Sequence, residues 1–105
     1  MNQEITIALT SCGRFDLLER TIKSLIENWD GPKPRELMVY EDSGISDFEA
    51  NKMDDLIRKW TGNWCVNSLQ WGNKNIGQIK VIDILYSHVT TPYIFHCEDD
   101  FEFYR

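Results

Sequence analysis

Two kinds of apolar pattern alternate along the chain: short continuous runs, and longer segments with apolar residues at helical spacing. The runs 5–9, 36–40, 64–71 and 93–97 predict strands, and the last of them is apolar enough to predict a buried strand. In each interval between two runs, apolar residues recur every three or four positions, which predicts a helix. The order is therefore βαβαβαβ. This order is typical of an α/β domain, with an open, mostly parallel sheet of about four strands and helices on both faces.

The helix intervals carry start signals and a predicted inner face. Ser46 and Glu49 have capping-box spacing before the second helix, and Asn75 and Gln78 have it before the third. The residues predicted to face the core are Leu18, Ile22, Leu25, Ile26 and Trp29 in the first helix, Met53, Leu56, Ile57 and Trp60 in the second, and Ile79, Ile82, Leu85 and Val89 in the third.

Composition narrows the class of protein. A length of 105 residues predicts a single domain spanning 1–105. The net charge of −6 disfavours nucleic acid and anionic membranes as partners. No apolar stretch approaches the ~20 residues of a membrane span, and no signal peptide is evident, so we expect a cytoplasmic protein that does not span a membrane. Three cysteines without CxxC spacing argue against a disulfide framework or a zinc site.

Polar and small residues follow three of the four predicted strands. They are the segments 10–14, 41–44 and 98–100, and in a parallel sheet all three open on the same edge, where α/β proteins bind ligands. Ser11 and Gly13 allow the backbone to approach a ligand closely. The connections at the opposite edge contain ordinary turn residues. This asymmetry favours a ligand cleft over solvated turns.

Glu98, Asp99 and Asp100 form an acidic cluster after the fourth strand. In an extended chain Glu98 and Asp100 project to one side and Asp99 to the other. Such a pair can offer one carboxylate to Mg²⁺ or Mn²⁺ and another to a ribose or to metal-bound water. A divalent ion carrying a diphosphate would also balance the negative charges of the three adjacent carboxylates. The alternative is a solvated acidic turn.

The remaining candidates suit other parts of a nucleotide. Asp42 can accept hydrogen bonds from a base or a ribose, or it can be a turn residue that bonds its own backbone. Asn75 opens the third helix, where free N–H groups attract phosphate, although capping explains it equally well. Lys74 and Lys80 are cations that could meet a diphosphate, or they could lie on a solvated face.

These motifs, taken together, resemble the nucleotide-binding half of GT-A-fold glycosyltransferases, particularly family 2. The segment ITIALTSCGRFDLLERTIKSL resembles the first strand, loop and helix of that family, and ELMVYEDSGISD resembles the second strand with its acidic turn. NIG followed by a helix and TPYIFHCEDD resembles the segment that leads to the DxD motif. The resemblance covers essentially the whole chain.

The resemblance implies roles for particular residues. Thr10, Cys12 and Asp42 would contact the nucleotide base, with Ser11 beside them in the donor site. Glu98 and Asp99 would lie near the ribose and the sugar, and Asp100 would hold Mn²⁺ or Mg²⁺ on the diphosphate, with Glu98 as a second metal candidate. The chain departs from the family where Cys12 replaces a common aromatic, Ile82 a common arginine and Glu98 the usual first aspartate.

The expected function is binding of a nucleotide-diphosphate sugar, most commonly a UDP-sugar, and inverting transfer of the sugar to a hydroxyl of a glycan or other acceptor. The chain stops at Arg105, so the acceptor-binding half and the catalytic base are expected to be absent, and the chain alone should transfer sugar slowly or not at all. The alternative is a non-catalytic nucleotide-binding or interaction module. A receiver-like domain fits less well because the first loop lacks an acidic pair. A two-fold homodimer is also expected, because Phe101, Phe103 and Tyr104 at the end of the sheet, together with a strand edge, would be left uncovered.

Overall fold

The computed structural model describes residues 4–31, 33–42, 47–69 and 77–99, without the side chains of Asp47, Leu69 and Gln78. Strands and helices alternate along the chain, which confirms the predicted α/β class and the order of elements. The predicted third strand is described only up to residue 69. The elements are β1 Ile5–Ser11, α1 Phe15–Asn28, β2 Glu36–Glu41, α2 Asp47–Thr61, β3 Val66–Leu69, α3 Gln78–Ser87 and β4 Tyr93–Glu98.

The four strands form one sheet in the order β3-β2-β1-β4, and every neighbouring pair is parallel. Thr10 near the end of β1 is in register with Tyr40 of β2 and with Glu98 of β4. After β1 the chain moves outward to β2 and β3, and it then returns to place β4 on the other side of β1. The strand order therefore reverses between β1 and β4, and this reversal is the topological switch point of the sheet.

Each face of the sheet has its own core, because successive side chains of a strand point to opposite faces. The larger core lies under α1 and α2, and the smaller one lies under α3. Buried residues of the larger core are Ile7, Leu9, Leu18, Ile22, Leu25, Leu37, Val39, Met53, Ile57 and Cys97. Those of the smaller core are Ala8, Met38, Tyr40, Val81 and Leu85. The predicted inner faces of the first two helices are confirmed.

The predicted inner face of α3 is partly wrong. Leu85 is buried as predicted, but Ile79 is 80% exposed, and Val81 supplies the other fully buried position. Apolar residues surround much of this helix, so its periodicity alone does not select one face. Contact with Ala8 and Met38 of the sheet decides which face packs inward.

The prediction that the fourth strand is buried is also wrong for its first half. Tyr93, Ile94 and Phe95 are 62%, 38% and 40% exposed, and only Cys97 is fully buried. Among the described strands, β4 pairs with β1 and is the outermost on that side. Position at the edge explains the exposure, because an edge strand has one neighbour instead of two.

Within the described residues, no helix is long and apolar enough to cross a membrane.

Candidate functional site at the carboxyl edge of the sheet

Three strands end side by side at the carboxyl edge of the sheet. Their last residues are Ser11, Glu41 and Glu98, and β1 lies between the other two strands. The segments after β1 and β4 flank the switch point, where ligands bind in open α/β sheets. The structure thus brings the described parts of the three polar segments, 10–14, 41–42 and 98–99, to one edge.

The polar side chains of this edge divide between the two faces of the sheet. The alternation that sends Leu9 and Cys97 toward α1 and α2 sends Ala8 and Tyr40 toward α3. On the α1/α2 side lie Ser11, Glu41 and Asp99, and on the α3 side lie Thr10, Asp42 and Glu98. Glu98 and Asp99 therefore point to opposite sides, as the sequence predicts.

Asp99 is 2% exposed and is surrounded by donors from the loop that follows β1. Arg14 Nη2 donates to Oδ1 at 2.5 Å, and Arg14 Nε donates to Oδ2 at 3.3 Å. The backbone N–H of Cys12 donates to Oδ2 at 3.1 Å, and Thr21 Oγ1 of α1 donates to the Asp99 carbonyl oxygen at 2.7 Å. Charge-assisted, two-point contacts of this kind are strong and directional. Asp99 thus joins the end of β4 to the β1–α1 loop and to α1.

Glu41 contacts the same loop from β2. It is 1% exposed, and its Oε2 accepts a hydrogen bond from the Gly13 N–H at 2.5 Å. Gly13 has a φ of 71°, a conformation that side chains with a Cβ rarely adopt, so glycine is favoured there. Ser11 is 3% exposed, and its hydroxyl is buried without a hydrogen-bond partner among the described residues.

Asp42 lies on the opposite face and is 7% exposed. Its Oδ2 accepts a hydrogen bond from the Gly77 N–H at 3.0 Å, directly before α3. Its own N–H donates to the Ser11 carbonyl oxygen at 2.8 Å, and its carbonyl oxygen accepts from Cys12 Sγ at 3.3 Å. The side chain therefore bonds the start of a helix 35 residues further along the chain, where a carboxylate is electrostatically favoured.

Cys12 is exposed, and its thiol acts as a hydrogen-bond donor. Partial burial raises the pKa of this thiol above its ordinary value, and the charges of Glu41, Asp42 and Asp99 raise it further, while Arg14 opposes them. The thiol is therefore protonated at neutral pH, and the arrangement does not activate it as a nucleophile.

The other predicted site residues are placed as follows. Thr10 is buried beside Glu98, which is half-buried. Lys80 is exposed on the first turn of α3. Three predicted site residues lie outside the described residues: Lys74, Asn75 and Asp100. The prediction that Asn75 opens the third helix is nevertheless wrong, because α3 begins at Gln78 with Gly77 at its N-cap. Within the part of the chain that is described, no group of three or more His, Cys, Asp and Glu side chains could hold a metal ion.

Sequence reasoning did not select Arg14, Glu41 or Tyr40. Tyr40 is 1% exposed on the face that carries Asp42, and its hydroxyl has no hydrogen-bond partner in the described ranges. Burial, and then the charge of Asp42, raise the pKa of this phenol. The signal available for Tyr40 was its position two residues before Asp42, because residues two apart in a strand lie on the same face of the sheet. For Arg14, the available signal was its positive charge, because the segment 10–14 was predicted to lie at the same edge of the sheet as the acidic segment 98–100.

A groove of about 350 Å³ lies away from these residues, between α2 and β3, with Met53, Arg58 and Ser68 in its lining. Arg58 pairs there with Asp54 at 2.9 Å. The groove contains none of the residues predicted for the site.

No protein-family model matches the chain, and no curated protein matches it significantly in sequence.

Proposed function

We propose that the chain binds a nucleotide-diphosphate sugar as the donor-binding half of a GT-A-fold, family 2-like glycosyltransferase. The observation that carries the proposal is the meeting of three polar segments at the switch point of an all-parallel sheet. Ligands of open α/β proteins bind at this position because the loops after the strands diverge there and leave a crevice. The motif order that resembles the family supports the same assignment.

The donor nucleotide would lie along the ends of β1 and β2. Thr10, Cys12 and Asp42 are the proposed contacts to the base, with Ser11 beside them. Support comes from the position of Asp42 beside the β1–α1 loop, where its backbone is hydrogen-bonded to Ser11 and Cys12. Lys80 on the first turn of α3 would add a positive charge.

Glu98 and Asp100 would hold Mn²⁺ or Mg²⁺, because both ions prefer carboxylate oxygens. The ion would stabilise the negative charge that develops on the leaving diphosphate. The acceptor hydroxyl would attack the anomeric carbon of the sugar, and the bond to the diphosphate would break. The base that removes the hydroxyl proton is not assigned to a residue of this chain.

A second candidate function is a non-catalytic nucleotide-binding or interaction module. One observation favours it: Glu41, Asp42 and Asp99 all accept hydrogen bonds from backbone N–H groups of the chain itself. Under this alternative, the acidic segments would serve mainly to hold the loops together. Nucleotide binding that does not depend on Mn²⁺ and is unchanged in Asp100→Ala would support this candidate.

Titration calorimetry with UDP, GDP and dTDP, with Mn²⁺ and then with excess EDTA, tests the proposal. We expect binding of at least one nucleotide that EDTA abolishes. In Asp100→Ala the remaining binding should no longer depend on the metal. Asp55→Asn is the matched control, because it removes one negative charge from an exposed position on α2 and should leave binding unchanged. Absence of nucleotide binding, or metal-independent binding of equal strength in Asp100→Ala, would contradict the metal-dependent donor site.

A further inference from the structure

The ion pair between Arg14 and Asp99 spans the switch point of the sheet. Arg14 belongs to the loop after β1, and Asp99 follows β4, so the pair joins the two segments that flank the switch point. Both carboxylate oxygens of Asp99 accept donors from residues 12 and 14. A ligand that bonded the Asp99 carboxylate would have to displace these donors.

The same loop connects the pair to Asp42. The N–H of Cys12 is held by Asp99, and the Cys12 thiol donates to the carbonyl oxygen of Asp42. Asp42 Oδ2 in turn accepts the N–H of Gly77 before α3. A continuous series of hydrogen bonds therefore runs from the end of β4, through the β1–α1 loop, to the end of β2 and the start of α3. Displacement of the loop would therefore also shift Asp42, which is proposed to contact the nucleotide.

We infer that Asp99 is a positioning residue, which acts through Arg14 and the amide of Cys12 to hold the β1–α1 loop in its ligand-binding position. The inference rests on the proposed function. It differs from the role that the family resemblance implies, in which Asp99 lies near the ribose and the sugar. Arg14 is half-exposed whereas Asp99 is buried, so loss of Arg14 removes the charged partner of a desolvated carboxylate.

A double-mutant cycle on nucleotide affinity tests the inference. Arg14→Ala and Asp99→Asn should each weaken nucleotide binding about tenfold, and the double variant should bind no more weakly than the weaker single variant, because both changes remove one interaction. Arg14→Lys keeps the charge without the two-point geometry and should fall between wild type and Arg14→Ala. Arg20→Ala, at an exposed position of α1, is the matched control and should bind as wild type does.

The reactivity of the Cys12 thiol gives a second readout that does not need a ligand. The measurement uses a Cys65→Ser background, in which Cys12 is the exposed cysteine and Cys97 is buried with its pKa raised by burial to about 12. If the loop stayed in place, Arg14→Ala would slow labelling, because the positive charge of Arg14 opposes the rise in the Cys12 pKa. If the pair holds the loop, its loss should instead speed labelling, roughly fivefold, by local opening.

The outcomes separate the inference from the proposed function. Weakened, non-additive binding with faster labelling supports the inference. Additive losses in the cycle would show that Asp99 contacts the ligand directly, and unchanged affinity with faster labelling would show that the pair holds the loop without affecting the site; either result overturns the inference and leaves the proposed function standing. If the wild-type chain binds no nucleotide, both fall. Should Asp99→Asn fail to fold, Arg14→Ala still tests the inference: weaker binding with faster labelling supports it, and unchanged affinity or slower labelling overturns it.

Discussion

The carboxylates at the carboxyl edge of the sheet lie in two different environments. On the α1/α2 side, Glu41 and Asp99 are 1% and 2% exposed and accept hydrogen bonds from the loop at 12–14. On the α3 side, Glu98 is half-buried, and Asp42 lies beside the start of a helix. Carboxylates one position apart in the sequence thus differ: those on one face hold a loop, and those on the other face are the proposed contacts to the nucleotide and the metal ion. The alternation of side chains along a strand produces this difference.

The greatest loss of stability is expected from a substitution on the α1/α2 side. Asp99→Ala should lower the free energy of unfolding by about 3 kcal/mol, because it leaves Arg14 and the Cys12 N–H without their acceptor. Urea unfolding measures this value. Asp83→Ala, at an exposed position of α3, is the control and should stay within about 0.5 kcal/mol of wild type. If the two variants were equally stable, the proposal that the carboxylates on the α1/α2 side stabilise the fold would be wrong.

Asp42→Ala should affect both stability and binding. Loss of the acceptor for the Gly77 N–H should lower the free energy of unfolding by about 1 kcal/mol, as for other helix caps. Loss of a hydrogen bond to the nucleotide should weaken binding by ~1–3 kcal/mol, measured by calorimetry. Asp42→Asn keeps an acceptor oxygen and should retain most of the stability. Reduced stability with full affinity would mean that Asp42 only holds the helix.

Glu98→Gln tests the role of a carboxylate on the α3 side. We expect the free energy of unfolding to change by less than about 0.5 kcal/mol, because Glu98 is only half-buried. Binding of the nucleotide should nevertheless lose much of its dependence on Mn²⁺, since Glu98 is a proposed metal ligand. A large loss of stability would place Glu98 with Asp99 as a structural residue.

The smallest effect concerns assembly, and it follows from the contrast between the two ends of β4. Cys97 is fully buried, whereas Tyr93, Ile94 and Phe95 are exposed on an edge strand. Exposed apolar edge strands pair with other chains, so weak two-fold self-association is expected. Sedimentation velocity over a range of concentrations measures it, and Tyr93→Lys should shift the chain toward monomer. A monomer at high concentration would contradict this expectation.

The sequence predicted the fold better than it predicted the contacts of the site. The alternation of elements, the inner faces of α1 and α2, and the meeting of three polar segments at one edge all followed from local patterns. The inner face of α3 did not, because Ile79 and Val81 are both apolar and only packing against the sheet distinguishes them. The exposure of β4 did not follow from local patterns either, because it depends on the order of the strands in the sheet.

Local patterns in the sequence establish the order of strands and helices and the positions of the acidic segments, because hydrophobic periodicity and turn residues act over short distances along the chain. Which acids are partnered inside the fold depends instead on contacts between residues that are distant in the sequence. Arg14 and Asp99 are 85 residues apart, and Gly77 and Asp42 are 35 apart, so no local pattern pairs them. Their contacts exist because the crossover places β4 beside β1 and α3 over the opposite face, and burial then requires each carboxylate to find a donor.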